Sequence, residues 1–138
     1  MKKLLLSLAV LPMIFSQAIS AKEVSLKFTN LKGMSCYSTA PVGCNSDKVA
    51  DTKATYFRDA KGNEKLLYQS MEYEAFPSPA EGSASFAAVE SNSDKGWAVM
   101  ELITLDLVNK KVSIVGARSN SIYSKPVYQL FGDIEPVM

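Results

Sequence analysis

The 138-residue chain balances 15 basic residues against 14 acidic ones, carries two cysteines and has no histidine. A formal charge of +1 leaves no electrostatic case for binding nucleic acid. Without an imidazole, the serine triad, histidine-borne proton shuttling and histidine-bearing zinc sites are all excluded.

Lys2 and Lys3 open the chain, an apolar run follows from Leu4 to Phe15, and the sequence then turns small and polar through Ser16, Gln17, Ala18, Ile19, Ser20 and Ala21. This is the order of a secretory signal peptide, with cleavage expected after Ala21. The apolar run is too short to span a bilayer, which takes about 20 residues, and Pro12 interrupts it. Residues 1–21 therefore read as an address, and residues 22–138 as a single β-rich domain. The removed segment contains Lys2 and Lys3, so 13 basic residues remain against 14 acidic ones, for a formal charge of −1. No later stretch is long and apolar enough to insert into a membrane, so none is expected to do so after cleavage. The expected location is the periplasm of a Gram-negative bacterium, or outside the cell.

Val24, Leu26 and Phe28 alternate with Ser25, Lys27 and Thr29, the period of a strand with one apolar face. From Lys32 to Asp51 periodicity stops, and Gly33, Pro41, Gly43, Asn45, Ser46 and Asp47 accumulate. This stretch reads as a long loop stapled by a Cys36–Cys44 disulfide, the default pairing in an oxidising compartment. Such a small loop contributes about 2 to 3 kcal/mol in chain-entropy terms. Seven intervening residues, including Pro41 and Gly43, set the pair apart from a two-residue redox motif.

Thr52–Arg58 and Glu64–Phe76 flank a turn at residues 59–63, which contains Gly62 and Asn63, and together read as a hairpin. Residues 77–82 break the chain, Ser85–Glu90 reads as a strand, and residues 92–96 form a turn. Trp97–Val108 is the most apolar part of the mature chain; with Asn109 and Lys110 as a turn and Val112, Ile114 and Val115 beyond, residues 97–117 read as a hairpin. Ile122–Phe131 forms the last segment, where Pro126 suggests a sheet edge, and the tail after Gly132 reads as loose. Six or seven strands with frequent turns and no long helical pattern describe an all-β, mainly antiparallel domain, either a small sandwich or a barrel.

The chemistry left to such a chain is narrow. Glu72 and Glu74 share one face of a strand, with Cα atoms about 6.5 to 7 Å apart, and so offer a carboxylate pair for sugar cleavage. The plainer reading puts Ser70, Glu72 and Glu74 in solvent, with Met71, Tyr73 and Ala75 inside. Glu101 differs because it interrupts an apolar strand in step with Val99 and Ile103. An outward glutamate on a twisted or bulged strand is the ordinary explanation. If that face is the core, the carboxylate requires a partner such as Arg58, Arg118 or a tyrosine hydroxyl. Glu101, Arg118 and Trp97 are the candidate ligand contacts. No catalytic residue, metal site or cofactor is expected. The composition points to a non-catalytic binding module for an unknown small ligand or envelope protein. The alternative is a small carboxylate-based hydrolase of cell-envelope sugars using Glu72, Glu74 or Glu101.

Overall fold

The computed structural model of the protein describes residues 21–37, 43–77, 81–119 and 127–137. Nine strands follow one another: β1 (Lys22–Tyr37), β2 (Gly43–Lys48), β3 (Thr52–Arg58), β4 (Glu64–Tyr68), β5 (Met71–Phe76), β6 (Ser83–Asn92), β7 (Trp97–Asp106), β8 (Lys111–Ser119) and β9 (Val127–Pro136). Every pairing is antiparallel. The ladder runs β1-β3-β4-β5-β6-β7-β8-β9 and returns to β1, closing eight strands into a barrel; β2 is added outside that ring and, among the described residues, pairs with β1 alone. The all-β antiparallel expectation holds, and of its two architectures the chain adopts the barrel.

Alternation writes the barrel wall. Along β7, Val99, Glu101, Ile103 and Leu105 are buried, while Ala98, Met100 and Leu102 face out; on β8, Val112 and Ile114 repeat the pattern. Phe28, Leu31, Leu66, Tyr73, Phe86 and Ile103 are fully buried and fill the interior together with Leu105, Ile114 and Leu130. The rings of Phe28 and Tyr68 lie 5.3 Å apart and tilted, as aromatic pairs prefer.

The structure corrects several sequence expectations. Residues 32–51 are not a long loop: β1 runs on to Tyr37, and β2 pairs with it from Lys32↔Lys48 to Tyr37↔Gly43, with Cys36 directly opposite Cys44 and disulfide-bonded to it. The apolar alternation fades there because the inward positions are Gly33 and Ser35, small residues that carry no hydrophobic signal. Glu64–Phe76 is two strands, divided at Gln69 and Ser70. Both adopt positive φ, 49° and 65°, in a tight turn whose positions usually take asparagine or glycine. The tail after Gly132 is not loose, since β9 continues to Pro136. That last strand is not an edge either, being paired with β8 on one side and β1 on the other. The signal segment, save Ala21, and Pro126 lie outside the described residues.

The Gln69–Ser70 turn yields a direct expectation. A non-glycine residue in the left-handed region costs about 1 to 2 kcal/mol, so Ser70→Gly should stabilise the barrel by about 0.5 to 1 kcal/mol after its own entropic penalty. Urea unfolding would register this as a higher midpoint with an unchanged slope.

Candidate functional site

The barrel end formed by the start of β7, the end of β8 and the start of β9 gathers the polar side chains of the interior. Glu101 points inward from β7 and is 2% exposed. Its cross-strand neighbour on β8 is Gly116, which leaves open the space directly opposite. Tyr128 of β9 fills that space: a Cβ added at Gly116 would stand 2.3 Å from the tyrosine ring. Here glycine is required by the close approach of an aromatic ring.

Two groups answer the buried carboxylate. The Tyr73 hydroxyl, from β5, donates to Glu101 Oε1 at 2.6 Å. The Arg118 guanidinium stands 3.7 Å from Oε2; its Nε donates to the Tyr128 hydroxyl at 3.3 Å, and its charged group lies 5.4 Å from the centre of that ring. Tyr68 lies beside Tyr73, with ring centres 6.3 Å apart, and its hydroxyl accepts from Gln69 Nε2 at 3.2 Å. Arg118 is the member nearest solvent, its side chain 26% exposed against 2% for Glu101. Trp97 lies at the start of β7 on the same inward row as Val99 and Glu101, half-buried at the rim. Around the wall, Ser35 Oγ donates to Asp47 Oδ2 at 2.6 Å.

Electrostatics follow from burial. Desolvation lifts the Glu101 carboxyl above its ordinary value, and the Tyr73 hydrogen bond and the Arg118 charge offset this only in part. The Tyr73 hydroxyl is raised by burial and then by the Glu101 charge, and Tyr68 is pushed up to about 12 by the same two causes. The cluster thus keeps its phenols neutral as donors and holds one carboxylate at an energetic cost that its partners reduce.

The structure therefore brings two of the three sequence-derived residues into one ion pair, Glu101 with Arg118, and sets Trp97 on their row. Arg58, named as another partner for Glu101, lies at the far end of β3. Tyr73 and Tyr128 were not singled out as site residues; the inward parity of Tyr73 was visible, but its partner on β7 depends on a long-range register. Glu72 and Glu74 are exposed on the outer wall, where both are ion-paired with Lys65. The wall separates them from Glu101. Asp106, at the end of β7, accepts the backbone N–H groups of Val108 and Asn109 and shapes the next turn. Among the described residues, no group of His, Cys, Asp and Glu side chains is placed to hold a metal ion.

No protein-family model matches the sequence, and no curated protein or solved structure matches it significantly.

A raised carboxyl pKa has a definite sign in stability. The native state holds the Glu101 proton to higher pH than the unfolded chain does, so this group's stabilising contribution is present below the ordinary value of 4.5 and declines as pH rises through the raised one. Glu101→Gln keeps an acceptor for Tyr73 and removes the titration. Urea unfolding from about pH 4 to 8 should show the wild type losing stability relative to this variant as pH rises; a constant difference would contradict the assignment.

Proposed function

We propose that the chain is a non-catalytic binding module, working in the periplasm or outside the cell, that meets its ligand at the barrel mouth over Arg118, Glu101 and Trp97. One observation carries the reading: a buried carboxylate is kept inside the barrel by a tyrosine hydroxyl and an arginine, and that arginine is the part of the network that solvent reaches. Carboxylates are seldom fully buried without a paired partner, and perturbed charges concentrate where proteins bind or react. A ligand at the rim would find donors on Arg118 and an aromatic surface on Trp97, already oriented by groups beneath them.

The packing favours recognition at the rim over enclosure. Fully buried aromatic and aliphatic side chains occupy the interior, and two clefts of the described residues, of about 650 and about 520 Å³, are both on the outer wall. A partner segment also has backbone to meet: among the described residues, β5 pairs with β6 at Ser85, Phe86 and Ala87, and no strand pairs with that side of β6 from Ala88 to Asn92. Strand addition at such an edge is a common mode of peptide recognition. The hydrolase alternative needs two carboxyl groups in one cleft, and the exposed, lysine-paired Glu72 and Glu74 stand across the wall from Glu101. The Cys36–Cys44 bridge is compatible with an oxidising compartment.

Native mass spectrometry of the protein purified from periplasm, with intact and reduced masses compared, tests the reading. The expected result is a stoichiometric small-molecule adduct or envelope-protein complex that Arg118→Gln loses while its circular dichroism stays that of the wild type. Identical spectra for wild type and variant, with no bound mass in either, would overturn it. Release of reducing ends from peptidoglycan fragments that depends on Glu101 would replace it with the catalytic alternative.

A further inference from the structure

The outer wall carries a second feature, independent of the mouth. In β1 a bulge between Thr29 and Lys32 interrupts the pairing with β9 and leaves Asn30 at a φ of 54°. The bulge fits closely because the facing residue is Gly132, where a Cβ would come within 2.6 Å of the Thr29 carbonyl oxygen. Beside this irregularity is a cleft of about 520 Å³ lined by Asn30, Lys32, Lys48, Lys111, Phe131, Gly132 and Asp133.

The lysines are brought together by register. Lys32 and Lys48 stand directly opposite one another across β1 and β2, Lys32 pairs with Phe131 across β1 and β9, and Lys111 pairs with Asp133 across β8 and β9. Like charges placed directly opposite in a sheet are destabilising. The nearby carboxylates are shared with other lysines and offset this pair only through space, Asp133 acting on Lys32 and Asp51 on Lys48. Asp133 is ion-paired with Lys111 and accepts from Asn30 Nδ2 at 2.9 Å, and Asp51 is ion-paired with Lys27 at 2.9 Å. Among the described residues, neither Lys32 nor Lys48 has a carboxylate within 4.0 Å. Three ammonium groups thus line one cleft with a single carboxylate.

Phe131 lines this cleft and is 52% exposed, and the next row of the outer wall holds Met34, Gln129, Val115 and Leu102, of which three are exposed apolar side chains. Lysine ammonium groups are compact, strongly hydrated point charges that suit a phosphate without demanding a planar, two-pronged partner. An apolar surface directly next to them suits the organic part of a phosphorylated molecule.

We propose that the cleft between Lys32, Lys48 and Lys111 binds a phosphate group, with Phe131 and the apolar wall beside it receiving the remainder of the ligand. A free phosphorylated metabolite and an anionic lipid headgroup present the same chemistry, and the test separates them. The mature chain is titrated with inorganic phosphate and with glucose 6-phosphate against sodium chloride of matched ionic strength, read by amide chemical shifts, and is then sedimented with vesicles of phosphatidylglycerol or of phosphatidylcholine. Saturable shifts at Lys32, Lys48 and Phe131 with either phosphate, at least tenfold weaker in Lys32→Gln/Lys48→Gln, identify a soluble phosphate ligand. Co-sedimentation with phosphatidylglycerol alone, lost in the same variant, identifies a lipid headgroup. Lys95→Gln, in the turn between β6 and β7 at the other end of β7 from Lys111, should change neither. If both phosphates match chloride and neither vesicle is bound, or if the double variant behaves as the wild type, the proposal falls. The double variant also removes a like-charge pair, so it should melt no lower than the wild type, and its loss of binding then reads as loss of the site.

Discussion

Closure of the sheet by pairing its first strand with its last is the constraint from which the rest of the molecule follows. β1 meets β9 along its length, from Leu26↔Pro136 to Cys36↔Val127, and this ladder turns an eight-strand meander into a barrel. Once the ring is closed, each strand has a true inside, and the alternation along it decides which side chains leave water. Ile103 and Leu105 are buried by that geometry, and so is Glu101, which lies in step with them. The acidic residue inside is thus a consequence of register. A shift by one residue would expose Glu101, but it would also turn Val99, Ile103 and Leu105 outward, a much larger loss of buried apolar surface.

Holding that carboxylate shapes its neighbourhood. Removing one partner from a buried charged group costs more than the net value of the interaction, so the Tyr73 hydroxyl and the Arg118 guanidinium act together. Gly116 makes this possible by having no side chain opposite Glu101, so that Tyr128 can lean across and hold Arg118 from the other side. Three elements distant in sequence therefore converge on one group. The network ties β5, β7, β8 and β9 together at one end of the barrel.

Much of the wall was legible from local pattern, because alternation needs no knowledge of partners. Val24, Leu26 and Phe28 announced the first strand, and the apolar run from Trp97 with its turn at Asn109 and Lys110 announced β7 and β8. The pattern misled where the inside of the barrel is small or polar. Gly33 and Ser35 face inward without an apolar signal, so the second half of β1 read as loop. The turn at Gln69 and Ser70 was hidden because neither residue is one that favours positive φ, and two strands read as one. Around the last strand, Pro126 just ahead of it in the sequence and the polar residues Asp133 and Glu135 within it disguised a segment bonded on both sides. Glu101 was conspicuous as an interruption of an apolar strand, and Arg118 was already among its candidate partners. Tyr73 as its hydrogen-bond donor, and the meeting of Lys32, Lys48 and Lys111, depend on registers between distant strands that no local window contains.

The closing ladder also sets an order of events. Strands β4 to β9 each pair with the strand before them in sequence, so each of those pairings can form as soon as two neighbours exist; β3 pairs with β1 across the β2 arm, and that arm can be fastened locally by its disulfide. The contact between β1 and β9 alone spans about a hundred residues, as the bond from Asn30 to Asp133 illustrates. Loop-closure entropy makes such a contact slow to form and places it late. Until the final strand arrives, the chain is an open meander with two unpaired edges and no dry interior. The protein therefore reaches its native state only after the whole chain has been released, and any compartment in which it folds must shelter those edges for the interval.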